Sequence, residues 1–151
     1  MIPCTKGAFA VIGKECSTRE GEGCIQRAWE QANAGFPEIA GLAVRDPQGN
    51  VAGVWGAMTD FSRSFQPWED CFTQGLYLAG VECREDAQPP EGWTKWVIPG
   101  FEYRAVEQGD GAFQKALRQL EEQGLALAGA VQEYTCPATG KSYLYFPIRR
   151  L

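Results

Sequence analysis

Two stretches of the chain carry apolar residues at helical spacing. In the first, Ile25, Ala28, Trp29 and Ala32 recur at i, i+3, i+4 and i+7, with Gln26, Arg27, Glu30 and Gln31 on the other side. This predicts an amphipathic helix from about Glu22 to Gly35, with Pro37 beyond its end. In the second, Phe113, Ala116, Leu117 and Leu120 repeat the spacing. Asp110 is its expected N-cap and Gly124 the residue expected just past its stop. The other apolar runs are short and are bounded by Gly, Pro, Asp or Asn. They predict strands over Phe9–Cys16, Val51–Met58, Phe72–Arg84, Trp93–Val97, Phe101–Val106, Ala130–Thr135 and Ser142–Ile148. Asp46–Asn50 and Cys136–Gly140 read as turns, and Thr59–Asp70 as a long polar and aromatic loop.

The order is strand, helix, strand, strand, and then the same again. The helical tetrad recurs, and Tyr77-Leu78 is echoed by Tyr143-Leu144. The pattern predicts an α+β fold made of duplicated β-α-β-β units, about 5–86 and 92–151, within one domain spanning 1–151. The units would share a curved antiparallel sheet with two helices on one face and a ligand cleft on the pseudo-two-fold axis. Alternation sorts the strand residues into faces. Phe101, Tyr103 and Ala105 share one face, and Glu102 and Arg104 the other. On the last strand, Leu144, Phe146 and Ile148 are expected beneath the helices, leaving Tyr143 and Tyr145 for the groove.

A chain of 151 residues suffices for one ordinary core. Its formal net charge is −5, which gives no electrostatic footprint for a phosphate backbone, so direct nucleic-acid binding is not expected. No apolar run reaches membrane-spanning length. Met1–Ala10 holds Lys6 and no long apolar core, so no signal peptide is expected and the location is read as cytoplasmic. The absence of histidine removes imidazole acid–base catalysis and His metal ligands. Six cysteines stand at 4, 16, 24, 71, 83 and 136 with no C-x-x-C pair. They read as mostly reduced core thiols, with no metal and no cofactor expected.

From Phe9 to Ile148 the segments, in order, resemble the GyrI-like small-molecule-binding domain. That domain is also the effector-binding domain of AraC-type and MerR-type multidrug regulators. Phe9-Ala-Val-Ile-Gly-Lys-Glu is similar to its opening strand, and the helix around Ala28-Trp29 to its first helix. Val54-Trp55-Gly56 with Asp60-Phe61 resembles its next strand and acidic-aromatic turn. Leu76-Tyr77-Leu78-Ala79-Gly80-Val81-Glu82 is the nearest local match. Pro90-Glu91-Gly92, Ile98-Pro99-Gly100 and Glu102-Tyr103 resemble the opening of the second half. Gln132-Glu133-Tyr134 and Tyr145-Phe146-Pro147-Ile148 resemble its last two strands. Gln132 departs from an aromatic common at that point. No helix-turn-helix region is present, so the resemblance implies a standalone member without a DNA-binding domain.

The resemblance implies an aromatic-lined cleft and a carboxylate that receives lipophilic cations, by position Glu133. The residues alone leave Glu133 open between that role and a solvent-facing Glu on a half-exposed strand. The chain holds eight Phe, five Tyr and five Trp, whose faces attract cations and stack on flat ligands. Trp55, Tyr77, Phe101, Tyr103 and Tyr145 lie on strands expected to face the groove, and Trp68 on the loop is a candidate lid. Trp29, in the helical stripe, reads as core. The expected partner is a lipophilic small molecule, bound for sequestration or for sensing. The resemblance also implies an alternative, hydrolysis of strained cyclopropane-type toxins, with Glu133 and Tyr77 as the catalytic pair. A protein–protein module, such as an enzyme inhibitor acting through its acidic surface, is a third reading.

Overall fold

A computed structural model describes all residues, Met1–Leu151. Its strands are β1 (Ile2–Lys6), β2 (Phe9–Ser17), β3 (Val54–Thr59), β4 (Leu76–Cys83), β5 (Thr94–Ile98), β6 (Phe101–Glu107), β7 (Gln132–Thr135) and β8 (Ser142–Arg150). The helices are α1 (Cys24–Ala34), α3 (Ala112–Glu122) and a single turn, α2 (Glu69–Phe72). All strands join one antiparallel sheet in the order β1-β6-β8-β7-β3-β4-β2-β5. The units β2-α1-β3-β4 and β6-α3-β7-β8 meet at the β3–β7 seam, where Gly56 lies opposite Glu133.

The first strand of the sheet, β1, is not foreseen by the hydrophobic pattern. It is five residues long, contains Pro3 and leaves Ile2 exposed. It pairs with β6, while β5, which precedes β6, pairs with β2. Each unit is therefore flanked by the strand that precedes the other unit. The two ladders share one register, running from Ile2↔Ala105 to Gly13↔Thr94 with a break at Gly7–Ala8. At that break the segments touch: a Cβ on Gly100 would lie 3.2 Å from the Ala8 nitrogen. The ends of the sheet thus belong to the same crossed ribbon, and the sheet curls round on itself.

Both long helices lie on one face. α1 packs Cys24, Ala28 and Ala32 onto Ile12, Cys16, Tyr77, Ala79 and Val81. α3 packs Ala116 and Leu120 onto Val131, Leu144 and Phe146. The opposite face is buried by the curl together with Phe61 and Phe65 from the loop after β3, with Phe9, Val11, Trp55, Leu78, Trp96 and Ile98 at its centre. Burying side chains of this size stabilises the fold by roughly 1.5–3 kcal/mol each.

Several local expectations change. β3 begins at Val54, because Val51 makes only an isolated bridge with Arg45 across the Asp46 turn. β4 begins at Leu76, because Asp70, Cys71 and Phe72 take left-handed backbone (φ 53°, 56° and 66°) that no strand can include. Gly111, not Asp110, precedes α3, with φ 71° and no side-chain cap. Gly124 has the positive φ expected just past the helix. The Tyr-Leu echo is out of register by one residue. Tyr77 and Leu144 pack toward the helices, whereas Leu78 and Tyr145 pack on the other face.

Candidate functional site

A cleft opens on the helix-bearing face, over the β3–β7 seam. Two adjoining cavities of about 300 and 350 Å³ share Met58, Phe113, Gln114 and Val131. Trp68, Cys71, Phe72 and Thr73 close one end; Gln108, Gly109, Gly111, Leu144 and Glu133 line the other. Phe113 is held edge-on by Phe72 (centroids 5.4 Å apart) and packs on Phe146 (5.5 Å).

Glu133 is half-buried at the seam. Its Oε1 accepts from the Tyr77 hydroxyl at 2.6 Å, and its Oε2 from Gln108 Nε2 at 3.5 Å. The indole Nε1 of Trp29 donates to the Tyr77 oxygen at 3.0 Å. The three side chains form a line of donors ending at the carboxylate. Burial, then the adjacent Glu133 charge and hydrogen bond, push the Tyr77 phenol far above its ordinary range. Tyr77 therefore stays protonated and serves as a donor. None of the molecule's ion pairs includes Glu133.

Two neighbours set this geometry. Gly56 faces Glu133 across the seam, and a Cβ there would lie 2.5 Å from Glu133 Oε1 and 2.7 Å from Tyr77 Cζ. Only a glycine leaves room for the Tyr77–Glu133 contact. Gln132, 1% exposed, turns the other way. Its amide accepts from the Met58 nitrogen at 2.7 Å and donates to the Met58 oxygen at 3.0 Å. That clamp pins β7 on β3 in the register that points Glu133 into the cleft, since a slip of one residue would reverse every side chain.

The loop after β3 is built on Asp60. Its carboxylate accepts from the Ser62 hydroxyl, the Ser64 nitrogen (2.9 Å) and the Thr59 hydroxyl (3.1 Å). Burial opposes that charge, but the hydrogen bonds outweigh it and hold the carboxyl below its ordinary value. The chain then reaches Trp68, whose Nε1 donates to the Leu76 oxygen at 3.1 Å and whose ring lies over Gly75.

Of the residues the sequence nominates, Glu133, Tyr77 and Trp68 come together around this cleft. Trp55, Phe101, Tyr103 and Tyr145 do not. They lie on the face away from the helices, with Trp55, Phe101 and Tyr103 at most 2% exposed. Trp55 packs on Phe9 and Tyr134 (4.7 and 4.9 Å), and Tyr103 on Tyr145 (5.4 Å). Trp55 and Tyr145 border a separate groove of about 290 Å³, shared with Lys6 and Glu82. The alternation placed these side chains correctly with respect to one another. The cleft that Glu133 lines opens on the helix-bearing face, whereas the sequence pattern set the groove on the face of Tyr145, where the groove bordered by Trp55 lies. Trp29, Met58, Gln108, Gln132 and Phe113 escaped notice as site residues. Trp29 and Phe113 were hidden because each also completes a helical stripe. No group of three or more His, Cys, Asp or Glu is placed to hold a metal ion, and no helix is long and apolar enough to cross a membrane.

No protein-family model and no curated protein sequence matches the chain. Solved structures do share its fold. A Staphylococcus aureus MU50 protein provisionally assigned to bacterial transcription regulation aligns with TM-score 0.61 at 13% identity, over 98% of this chain and 97% of that one. EcmrR, in its complex with DNA, aligns with TM-score 0.65 at 11% identity, over 99% of this chain and 57% of EcmrR. The chain thus spans little more than half of EcmrR. SAV2435 bound to tetraphenylphosphonium aligns with TM-score 0.59 at 15% identity, over 98% of this chain and 93% of that one. Identities this low establish a shared fold, one that occurs in a tetraphenylphosphonium-bound protein and in a DNA-bound one.

Proposed function

We propose that this protein is a GyrI-like small-molecule-binding domain that captures lipophilic organic cations in the cleft beside α3, over the β3–β7 seam. The observation that carries the reading is Glu133, a carboxylate in an apolar, aromatic-flanked cleft with no Lys or Arg paired to it. A bound cation would supply the missing counter-charge, and Trp68, Phe72 and Phe113 the apolar contact. The fold shared with a tetraphenylphosphonium complex supports the ligand class. Such a domain serves in sequestration or as the sensing part of a regulator.

Tryptophan fluorescence tests this with tetraphenylphosphonium and the neutral triphenylphosphine oxide. The expected result is saturable quenching by the cation and much weaker binding of the neutral compound. Glu133→Gln lowers cation affinity about tenfold or more, the loss of one charge-assisted contact. Equal affinity for the two compounds would overturn the reading. The short Tyr77–Glu133 contact favours a second reading, hydrolysis of an electrophilic ligand with Glu133 as general base. Mass spectrometry of ligand recovered after incubation separates the two, since only turnover changes its mass.

A further inference from the structure

All six cysteines are free thiols in the structure, yet two of them touch. Cys16 and Cys24 have their sulfurs 3.2 Å apart and are 6% and 5% exposed. Cys16 lies near the end of β2, directly across from Tyr77. Cys24 is the first residue of α1, whose free N–H groups have no side-chain cap. A disulfide needs the sulfurs to close by only about 1 Å. The third buried thiol, Cys83, donates instead to a backbone oxygen at 3.4 Å.

We propose that Cys16 and Cys24 form a reversible disulfide, a redox modification site that staples the start of α1 to β2. The oxidant is hydrogen peroxide, small enough to reach a nearly buried sulfur. Cys24 reacts first, because its sulfur is the acceptor of the Cys16 S–H and so keeps its electron pair exposed to the oxidant. Its sulfur attacks the peroxide, the O–O bond breaks, and hydroxide leaves and takes up a proton to become water. The resulting Cys24 sulfenic acid is attacked by the Cys16 sulfur. The S–S bond forms, the S–O bond breaks, and a second water leaves with the Cys16 proton. Two thiols are oxidised and one peroxide is reduced to two waters. Cys16 suits the second role, since its sulfur already lies 3.2 Å from that of Cys24. A thiol–disulfide exchange reverses the bond. The staple fixes the start of the helix whose Trp29 donates to Tyr77, the residue that in turn donates to Glu133.

The test treats the folded chain with hydrogen peroxide, alkylates the remaining thiols after unfolding, and maps tryptic peptides without reduction. The expected product joins Glu15–Arg19 to Glu20–Arg27 and reverts with dithiothreitol. The oxidised protein melts roughly 5 °C or more above the reduced one. In Cys16→Ser the sulfenic acid has no partner, and dimedone labels Cys24. Exposed Cys71 reports that the oxidant has acted. Oxidation of Cys71 while Cys16 and Cys24 are both recovered alkylated overturns the proposal. So does separate over-oxidation of the two without a cross-link.

Discussion

Both faces of the sheet hold aromatic side chains, and the two faces differ in what the polar ends at their centres meet. On the helix-bearing face, the Trp29 N–H meets the Tyr77 oxygen and the Tyr77 hydroxyl meets Glu133. On the other face, Trp55 Nε1 and the Tyr103 hydroxyl are fully buried with no partner. Both arrangements bury rings, but only the first aims a chain of donors at an acceptor beside open space. Aromatic density therefore marks a core as readily as a binding site, and the carboxylate at the end of the chain tells them apart. Elsewhere on that face Trp96 Nε1 donates to Glu15 Oε1 at 2.8 Å and the Tyr134 hydroxyl to the Ala52 oxygen at 3.3 Å, so the cost of about 1–3 kcal/mol for an unmet buried donor falls on Trp55 and Tyr103.

The largest test of this contrast is Trp55→Ala. It should destabilise the protein by about 3–5 kcal/mol in denaturant melts, the usual cost of emptying an aromatic core position. Folded Trp55→Ala protein should still bind tetraphenylphosphonium within about twofold of wild type, because no atom of the cleft is lost. Loss of binding in a folded sample would break the distinction between the faces. Gly56→Ala comes next. Its methyl group collides with Tyr77 and Glu133, so stability should fall by about 1–3 kcal/mol, with ligand affinity reduced at least tenfold. A neutral result would mean that the carboxylate does not need this seat. The finest discrimination is between two identical substitutions. Tyr77→Phe leaves Glu133 Oε1 without its hydrogen bond and should cost about 1–2 kcal/mol, whereas Tyr103→Phe removes an unmet buried hydroxyl and should raise stability, by up to about 1–3 kcal/mol. Equal losses for the pair would erase the comparison.

Much of the fold was legible because periodicity is a local property. The stripes of α1 and α3, the faces of β6 and β8, and the duplicated order follow from spacing alone. Glu133 and Tyr77 were reached differently, through likeness to a family, since a Glu on an apolar strand reads equally well as solvent-facing. The groove's face was not legible. Period two says which residues share a side, but the curl of the sheet decides which side is closed, and that curl depends on pairings between distant strands. β1 was missed because its pairing partner lies in the other half and its own sequence carries no alternation. The turn at Asp70–Phe72 was missed because three successive left-handed residues without glycine run against every local preference. Trp29 and Gln132 belong to a third class. Each fits a bland local role, and its contribution to the site appears only when its partner across the fold is known.

The exchange of β1 and β5 between the halves also sets an order of events during synthesis. Ribosomes deliver the chain from its first residue, yet β1 has no ladder to join until Phe101–Ala105 has emerged. The first half acquires its outer strand, β5, earlier, but only after the chain has passed Ile98. Neither half can therefore finish as a unit while the other is unmade. β1 is made well before it is secured, and a ribosome that stalls before β6 leaves it as an unpaired edge for chaperones to cover.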